Sequence, residues 1–167
     1  LERARRLPVV WLSFQECTGC TESLTRSSAP SIERLLFDLI SLDYHHTLQA
    51  ASGAAAEAAR ETSLKENAGH VLLVVDGSVP TALAGACSTI AGEDNLSLLR
   101  RCLEASEVVV AVGTCASFGG LAAAAPSQKT ADAKALVATL ARTPIGPRRR
   151  PPWRLARTWF WDRLTEL

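Results

Sequence analysis

Val71-Leu-Leu-Val-Val-Asp76 runs through five apolar positions and stops at an aspartate followed by Gly77. A strand with one wet face would alternate apolar and polar residues. A continuous apolar run is the pattern of a strand buried on both faces, as in a parallel sheet covered by helices. Val108-Val-Val-Ala-Val-Gly113 has the same character, and Pro8-Val-Val-Trp-Leu-Ser-Phe14 is a third apolar, β-rich run. Helical segments are expected between them: residues 18–28, where Thr18 and Glu22 stand four apart; the Ala- and Glu-rich Ala50–Glu66, whose few large apolar residues suit a solvent-facing helix; and Leu96–Ala105, capped by Asn95 after a turn at Gly92. Leu35–Leu42 reads as a helix end running into a short strand, and Ala131–Ala141 as a further helix. This order predicts an α/β domain with a doubly wound parallel sheet, flavodoxin-like in topology.

The 167 residues suit one such domain, and 47% hydrophobic content supplies its core. Eighteen Lys and Arg against seventeen Asp and Glu leave a charge of +1, which calls for no nucleic-acid partner. No run of 18 apolar residues is present to span a bilayer, and Leu1–Pro8 carries arginines without a following apolar stretch, so no signal peptide is expected. After Thr143 the composition changes. From Arg142 onward there are seven arginines and two acids, and three of the four tryptophans lie in this stretch, with no strand pattern. The expected division is a flavodoxin-like domain over 1–143 and an atypical basic Pro/Arg/Trp tail over 144–167.

The five cysteines, at 17, 20, 87, 102 and 115, are odd in number and too sparse for a disulfide framework. In an open parallel sheet, ligands gather beyond the carboxyl ends of the strands. Cys17 and Cys20 follow the first strand, Asp76 ends the Val71 strand, and Cys115 follows the Val108 strand, so three thiols and a carboxylate are expected at one edge. Thiolates suit iron–sulfur clusters, zinc and copper(I). Gly19 permits a tight Cys-x-x-Cys loop, and Gly119-Gly120 lets backbone approach a bulky inorganic group. Metal binding, a redox dithiol and inert burial all remain open on the residues alone; the second cysteine-bearing loop favours metal. Cys102 and Cys87 are expected to be buried. His45 and His46 read as a surface-loop pair and His70 as solvated.

Val10-Trp-Leu-Ser-Phe-Gln-Glu-Cys-Thr-Gly-Cys-Thr-Glu-Ser-Leu24 resembles the cluster-binding signature of nickel–iron hydrogenase small subunits of the uptake type. Ile40-Ser-Leu-Asp-Tyr-His-His-Thr-Leu48 with Ala50-Ala-Ser-Gly53, Val74-Val-Asp-Gly-Ser-Val-Pro80, and Gly113-Thr-Cys-Ala-Ser-Phe-Gly-Gly120 are similar to three further blocks of that family, in the same order. The resemblance implies a heterodimer with a large subunit that holds the nickel–iron centre and splits hydrogen, so this chain alone has no catalytic residue. It implies that Cys17, Cys20 and Cys115 are three of the four ligands of a proximal [4Fe–4S] cluster that passes electrons from hydrogen. Thr18, Asp76 and Thr114 would surround that cluster, and Glu16 would lie near the subunit interface, on a proton path or in a simple hydrogen bond. Oxygen-tolerant relatives carry extra cysteines where this chain has Gly19 and Gly120, which implies a standard, oxygen-sensitive cluster. The onward acceptor would be a membrane cytochrome b or another electron carrier, on the periplasmic side of the cell membrane.

The departures are specific. The family's fourth ligand comes from a Gly-Cys-Pro-Pro loop; here the region reads Pro144-Ile-Gly-Pro-Arg-Arg-Arg-Pro-Pro152, and no cysteine follows Cys115. The resemblance therefore implies a truncated chain or one with a disrupted C-terminus, lacking the later clusters. A quinone-reductase-type iron–sulfur subunit, which usually carries adjacent cysteines, and a zinc-binding module using the three thiols and a histidine are the alternatives.

Overall fold

A computed structural model describes residues 6–124, 130–131 and 154–156. The chain runs β1 (Leu7–Ser13), α1 (Gly19–Thr25), β2 (Ile40–His45), α2 (Gly53–Glu66), β3 (Val71–Asp76), α3 (Asn95–Glu104), β4 (Ser106–Val112), α4 (Gly113–Phe118) and β5 (Arg154–Ala156). The five strands form one sheet in the order β2-β1-β3-β4-β5, and every pairing in it is parallel. This is the doubly wound, flavodoxin-like arrangement expected from the apolar runs. Among the described residues no helix is long and apolar enough to cross a membrane.

The two faces of the sheet are covered by different helices. Val10 and Leu12 of β1, Leu73 and Val75 of β3, and Val109 and Ala111 of β4 share a core with Ala56 and Leu64 of α2 and Leu98, Leu99 and Cys102 of α3. The alternate residues Val9, Trp11 and Val74 pack with Leu24 of α1 and with Ile32 and Leu35 of the helical turns that precede β2. Successive side chains of a strand point to opposite faces, so both faces must be apolar. Cys102 is fully buried in this core, as expected.

Several expectations are corrected. The region after β4 is not a loop: Gly113–Phe118 is a short helix, closed by the Gly119 N–H donating to Cys115 O at 2.8 Å with Gly119 in the left-handed region. A glycine there is the ordinary way to end a helix. The cap of α3 is Asp94, whose carboxylate accepts from Ser97 N at 2.8 Å; Asn95 is the first helical residue, buried, with its amide on Ser88 Oγ. Cys87 is exposed rather than buried, its thiol 3.4 Å from Ala82 O. Arg154–Ala156 pairs in parallel with Val108–Val110, supplying a fifth strand where no strand pattern was read. Ala131 pairs antiparallel with Val79 through a two-residue strand. The rest of the helix expected to 141, and the boundary expected after Thr143, lie outside the described residues.

Helix α2 exposes most of its residues, as expected, but its buried side is not held by apolar contacts alone. Arg60 on its inner side is only 3% exposed. Its guanidinium meets Glu57 at 2.5 Å, Glu61 at 3.3 Å and Glu93 at 4.0 Å, and lies 5.1 Å from the centre of the Tyr44 ring. Arg101 of α3 joins the same carboxylates of Glu61 and Glu93. A long charged side chain can be buried this way only when it is paired, and its aliphatic stem then replaces the large apolar residues that α2 lacks. We expect Arg60→Met to lose about 3 kcal/mol of stability, because it strands Glu57 beside a buried tyrosine. Chemical denaturation measures this directly.

His45 and His46 are not a surface pair. His45 is 0% exposed, stacked 4.9 Å from the Trp11 ring, and His46 is half-buried between Ser13 and Tyr44. Burial pushes His45 down to about 4. A histidine whose folded value lies below its unfolded one binds its proton more readily when unfolded. Its contribution to stability is therefore whole above about 6.5 and is lost as pH falls toward 4, by about 3 kcal/mol. Stability followed from pH 7 to pH 4 should fall less steeply in His45→Asn than in the parent. His46, also lowered by burial, remains in both chains, so the variant should keep part of the pH dependence.

Candidate metal centre

The three middle strands end in one row. Ser13 of β1 lies opposite Asp76 of β3, and Asp76 lies opposite Val112 of β4. The chain beyond β1 stays attached to the chain beyond β3, with Gln15 N donating to Ser78 O at 3.1 Å and Ser78 N donating back to Gln15 O at 3.0 Å. Glu16 and Cys17 are thus carried just past the row, and Cys20 returns on α1. Cys115 rises on α4 one turn beyond Val112. The edge expected from the sequence therefore holds every residue assigned to it.

The thiols interact. Cys20 is half-buried, with its sulfur 3.8 Å from Val112 O. Burial pushes it up to about 11, and the charges of Asp76, Cys115, Cys17 and Glu16 each add to the rise. Cys115 is raised by burial first and then by Cys17. These influences put the three thiols and the two carboxylates in one neighbourhood. Cys17 and Thr18 are exposed at the mouth, and Thr114 is exposed beside Cys115. Thr18 occupies the left-handed region at φ 66, unusual for a β-branched residue, and its hydroxyl donates to Glu16 Oε1 at 3.4 Å. That turn folds the Cys-x-x-Cys segment back on itself.

Asp76 closes the floor of the site. It is 0% exposed, and neither of its oxygens completes a hydrogen bond. Burial raises its pKa above the ordinary carboxylate value. The Ser13 hydroxyl and the Trp11 indole N–H draw it partly back, close by without reaching ordinary hydrogen-bond geometry. Burial also raises Glu16, with Asp76 second, and Glu16 Oε2 is buried without a partner. A buried carboxylate without donors is costly, and such groups concentrate where a site serves something other than the fold.

Two glycines leave the room. A methyl group added at Gly113 would sit 2.4 Å from Cys20 Sγ, and one added at Gly120 would sit 2.5 Å from Cys115 Sγ. Both lie in the left-handed region, at φ 77 and φ 58. A side chain at either position would occupy the space in front of a thiol. Gly120 was legible from the Gly119-Gly120 pair. Gly113 and the Trp11–Ser13 floor were not, because they matter through strand register rather than through a motif.

The donor set decides between the readings left open by the cysteines. No three His, Cys, Asp or Glu side chains among the described residues stand close enough to share one metal ion. The histidines are committed elsewhere: Thr47 N, Leu48 N and Thr21 hold His45; Ser13 N and Tyr44 hold His46; His70, largely exposed, faces Glu107 at 3.6 Å. A zinc site of three thiols and a histidine lacks its histidine. A redox dithiol would use Cys17 and Cys20 and leave Cys115, carried to the same edge from a distant segment, without a part. Three thiols at one edge, two of them against glycines, are donors of the kind that hold a polynuclear iron–sulfide group.

Comparison with known proteins agrees with this chemistry. Residues 17–147 match the model of the family described as NADH ubiquinone oxidoreductase, 20 Kd subunit. The chain is 42% identical over 120 residues to the Hydrogenase-2 small chain of Escherichia coli K12, covering 72% of this chain and 32% of that one. It is also 42% identical over 127 residues to the periplasmic [NiFe] hydrogenase small subunit 1 of Nitratidesulfovibrio vulgaris, covering 76% of this chain and 40% of that one. The structure superimposes on the Ni-Fe-Se hydrogenase of Desulfomicrobium baculatum with a TM-score of 0.77 at 31% identity, over 83% of this chain and 54% of that one. The chain thus spans about a third of the length of these curated relatives. With the family model matched over most of its residues, the chain belongs to the family described as NADH ubiquinone oxidoreductase, 20 Kd subunit, and within it is similar to the small chains of nickel–iron hydrogenases.

Proposed function

We propose that this chain is the electron-transferring part of a hydrogenase small subunit, with Cys17, Cys20 and Cys115 holding a proximal [4Fe–4S] cluster that takes electrons from hydrogen oxidation. The observation that carries the reading is the placement of three thiols from two distant segments at one edge of the sheet, two of them packed against glycines where no side chain fits. The individual relatives are hydrogenase small chains, which favours this branch over a respiratory quinone-reductase subunit.

When bound, the cluster supplies one-electron storage at the edge of the sheet. The chain's own residues do the rest. Cys17, Cys20 and Cys115 would hold iron as thiolates, and because burial favours the protonated form of Cys20 and Cys115, iron binding there would release protons. Gly113 and Gly120 admit the cluster's bulk. Thr18 and Thr114, both exposed beside their cysteines, stand at its rim as hydroxyl donors to its sulfur atoms. Asp76 is buried under the site; in its ionised form it would disfavour the addition of an electron, and burial favours its protonated form. The three cysteines would hold three of the four irons and leave the fourth to a ligand of another kind.

The partner we assign is a large subunit carrying the nickel–iron centre. Exposed Phe118 and Leu121 flank Cys115 and offer an apolar surface beside the cluster mouth, where an electron enters over the shortest distance. Glu16 stands on the same rim and is the carboxyl we place against that partner. The names of the relatives, periplasmic and quinone-reactive, support a periplasmic site and an acceptor in the membrane, such as a cytochrome b.

Anaerobic reconstitution of this chain with iron and sulfide should give a brown protein containing both elements. Cys17→Ser, Cys20→Ser and Cys115→Ser should each lose most of the bound iron, whereas Cys87→Ser, at an exposed cysteine away from the edge, should retain it. Equal iron in all four variants would contradict the assignment. Gly113→Ala should also block assembly, since its methyl group occupies the place in front of Cys20. It should cost about 1–2 kcal/mol of stability for a left-handed alanine. Gly19→Ala, with an ordinary backbone angle and 3.2 Å to Cys17 Sγ, should assemble far more cluster.

A further inference from the structure

The ring of His45 is engaged on both sides. Its Nδ1 accepts from two backbone donors, Thr47 N at 3.0 Å and Leu48 N at 3.3 Å. A nitrogen that accepts two N–H groups carries no proton, so the proton is on Nε2. Nε2 lies 3.3 Å from Thr21 Oγ1 and donates to it. Thr21 is 3% exposed and follows Cys20 directly in α1. His45 itself is the last residue of β2, opposite Trp11 of β1, and its backbone N–H and C=O both engage Gln49. One buried imidazole thus ties the end of an edge strand and the turn that leaves it to the helix carrying a thiol.

Helix α1 needs such a tie. It is seven residues long, too short to be stable alone, and Leu24 is its one buried large apolar residue. Apart from the weak contact of the Cys20 thiol with Val112 O at 3.8 Å, its other polar contacts, such as Arg26 to Glu22, are exposed pairs within the helix itself. Such pairs do not locate the helix on the sheet. The bond from His45 does, and it acts one residue from Cys20.

We propose that Thr21 and His45 form a positioning pair for Cys20, fixing where α1 holds that thiol relative to the one on α4. The inference extends the cluster reading but is tested on the cluster-free chain, so a failure to bind iron would sink that reading and leave this one standing or falling on its own data.

The test is site-resolved alkylation by iodoacetamide of the full chain, read by mass spectrometry. Exposed Cys87 serves as the reference and buried Cys102 as the monitor of global opening. Thr21→Val keeps the shape and removes the acceptor; Thr21→Ser keeps the acceptor; His45→Asn keeps an oxygen for the two backbone donors of the turn and drops the bond to α1. Thr21→Val and His45→Asn should raise the labelling of Cys20 about fivefold relative to Cys87, the equivalent of one net hydrogen bond of about 1 kcal/mol. Cys115 and Cys102 should be unchanged and Thr21→Ser should behave as the parent. Unchanged labelling of Cys20 in Thr21→Val, a rise shared by Cys102, or a Thr21→Ser variant as reactive as Thr21→Val would overturn the proposal.

Discussion

The row Ser13–Asp76–Val112, in which three parallel strands finish at the same level, is the constraint on which everything else depends. Parallel pairing aligns the carboxyl ends of strands that are far apart in the chain. Burial of both faces then forbids any of them to slip by one residue, because a slip would turn Leu12, Leu73 and Val109 to the opposite helical layer. With the register locked, the loops that leave β1 and β4 have nowhere to go but the same edge. The thiols of Cys17, Cys20 and Cys115 meet because of the sheet, not because of any direct attraction. Burial above all raises Cys20 and Cys115 and so favours their protonated, neutral form.

Much of this architecture was legible in the residues. The apolar runs of β1, β3 and β4 announce a sheet buried on both sides, and that alone places Cys17, Cys20, Asp76 and Cys115 together. What was not legible has physical reasons. The segment 114–118 reads as a loop because its residues are small, yet Gly113 turns the strand into a helix and Gly119 ends it, so geometry outweighs propensity. The buried side of alanine-rich α2 is missed because its anchor is an arginine, and a paired arginine leaves no hydrophobic trace in a sequence. Arg154–Ala156 carries no strand signature because three backbone pairings with β4 need little from the side chains.

The histidines show the same limit. In a sequence, Tyr44-His-His46 looks like a polar turn. In the structure His45 seals one end of β2 beneath Trp11, and His46 bridges Ser13 to the Tyr44–Glu57–Arg60 group. Buried polar residues of this kind form a scaffold behind the thiols. They hold the edge of the sheet rigid where the front of the site is held by little more than two short helices and a strained threonine. The floor beneath holds a buried carboxyl, Asp76, with neither oxygen in a hydrogen bond, and it lies under the proposed cluster.

The most direct test is anomalous diffraction at the iron absorption edge from crystals of the anaerobically reconstituted chain. The account predicts a single iron-rich peak bounded by the sulfurs of Cys17, Cys20 and Cys115, over the carboxylate of Asp76. Iron bound away from this edge, or a Cys115 sulfur turned away from the other two, would contradict it.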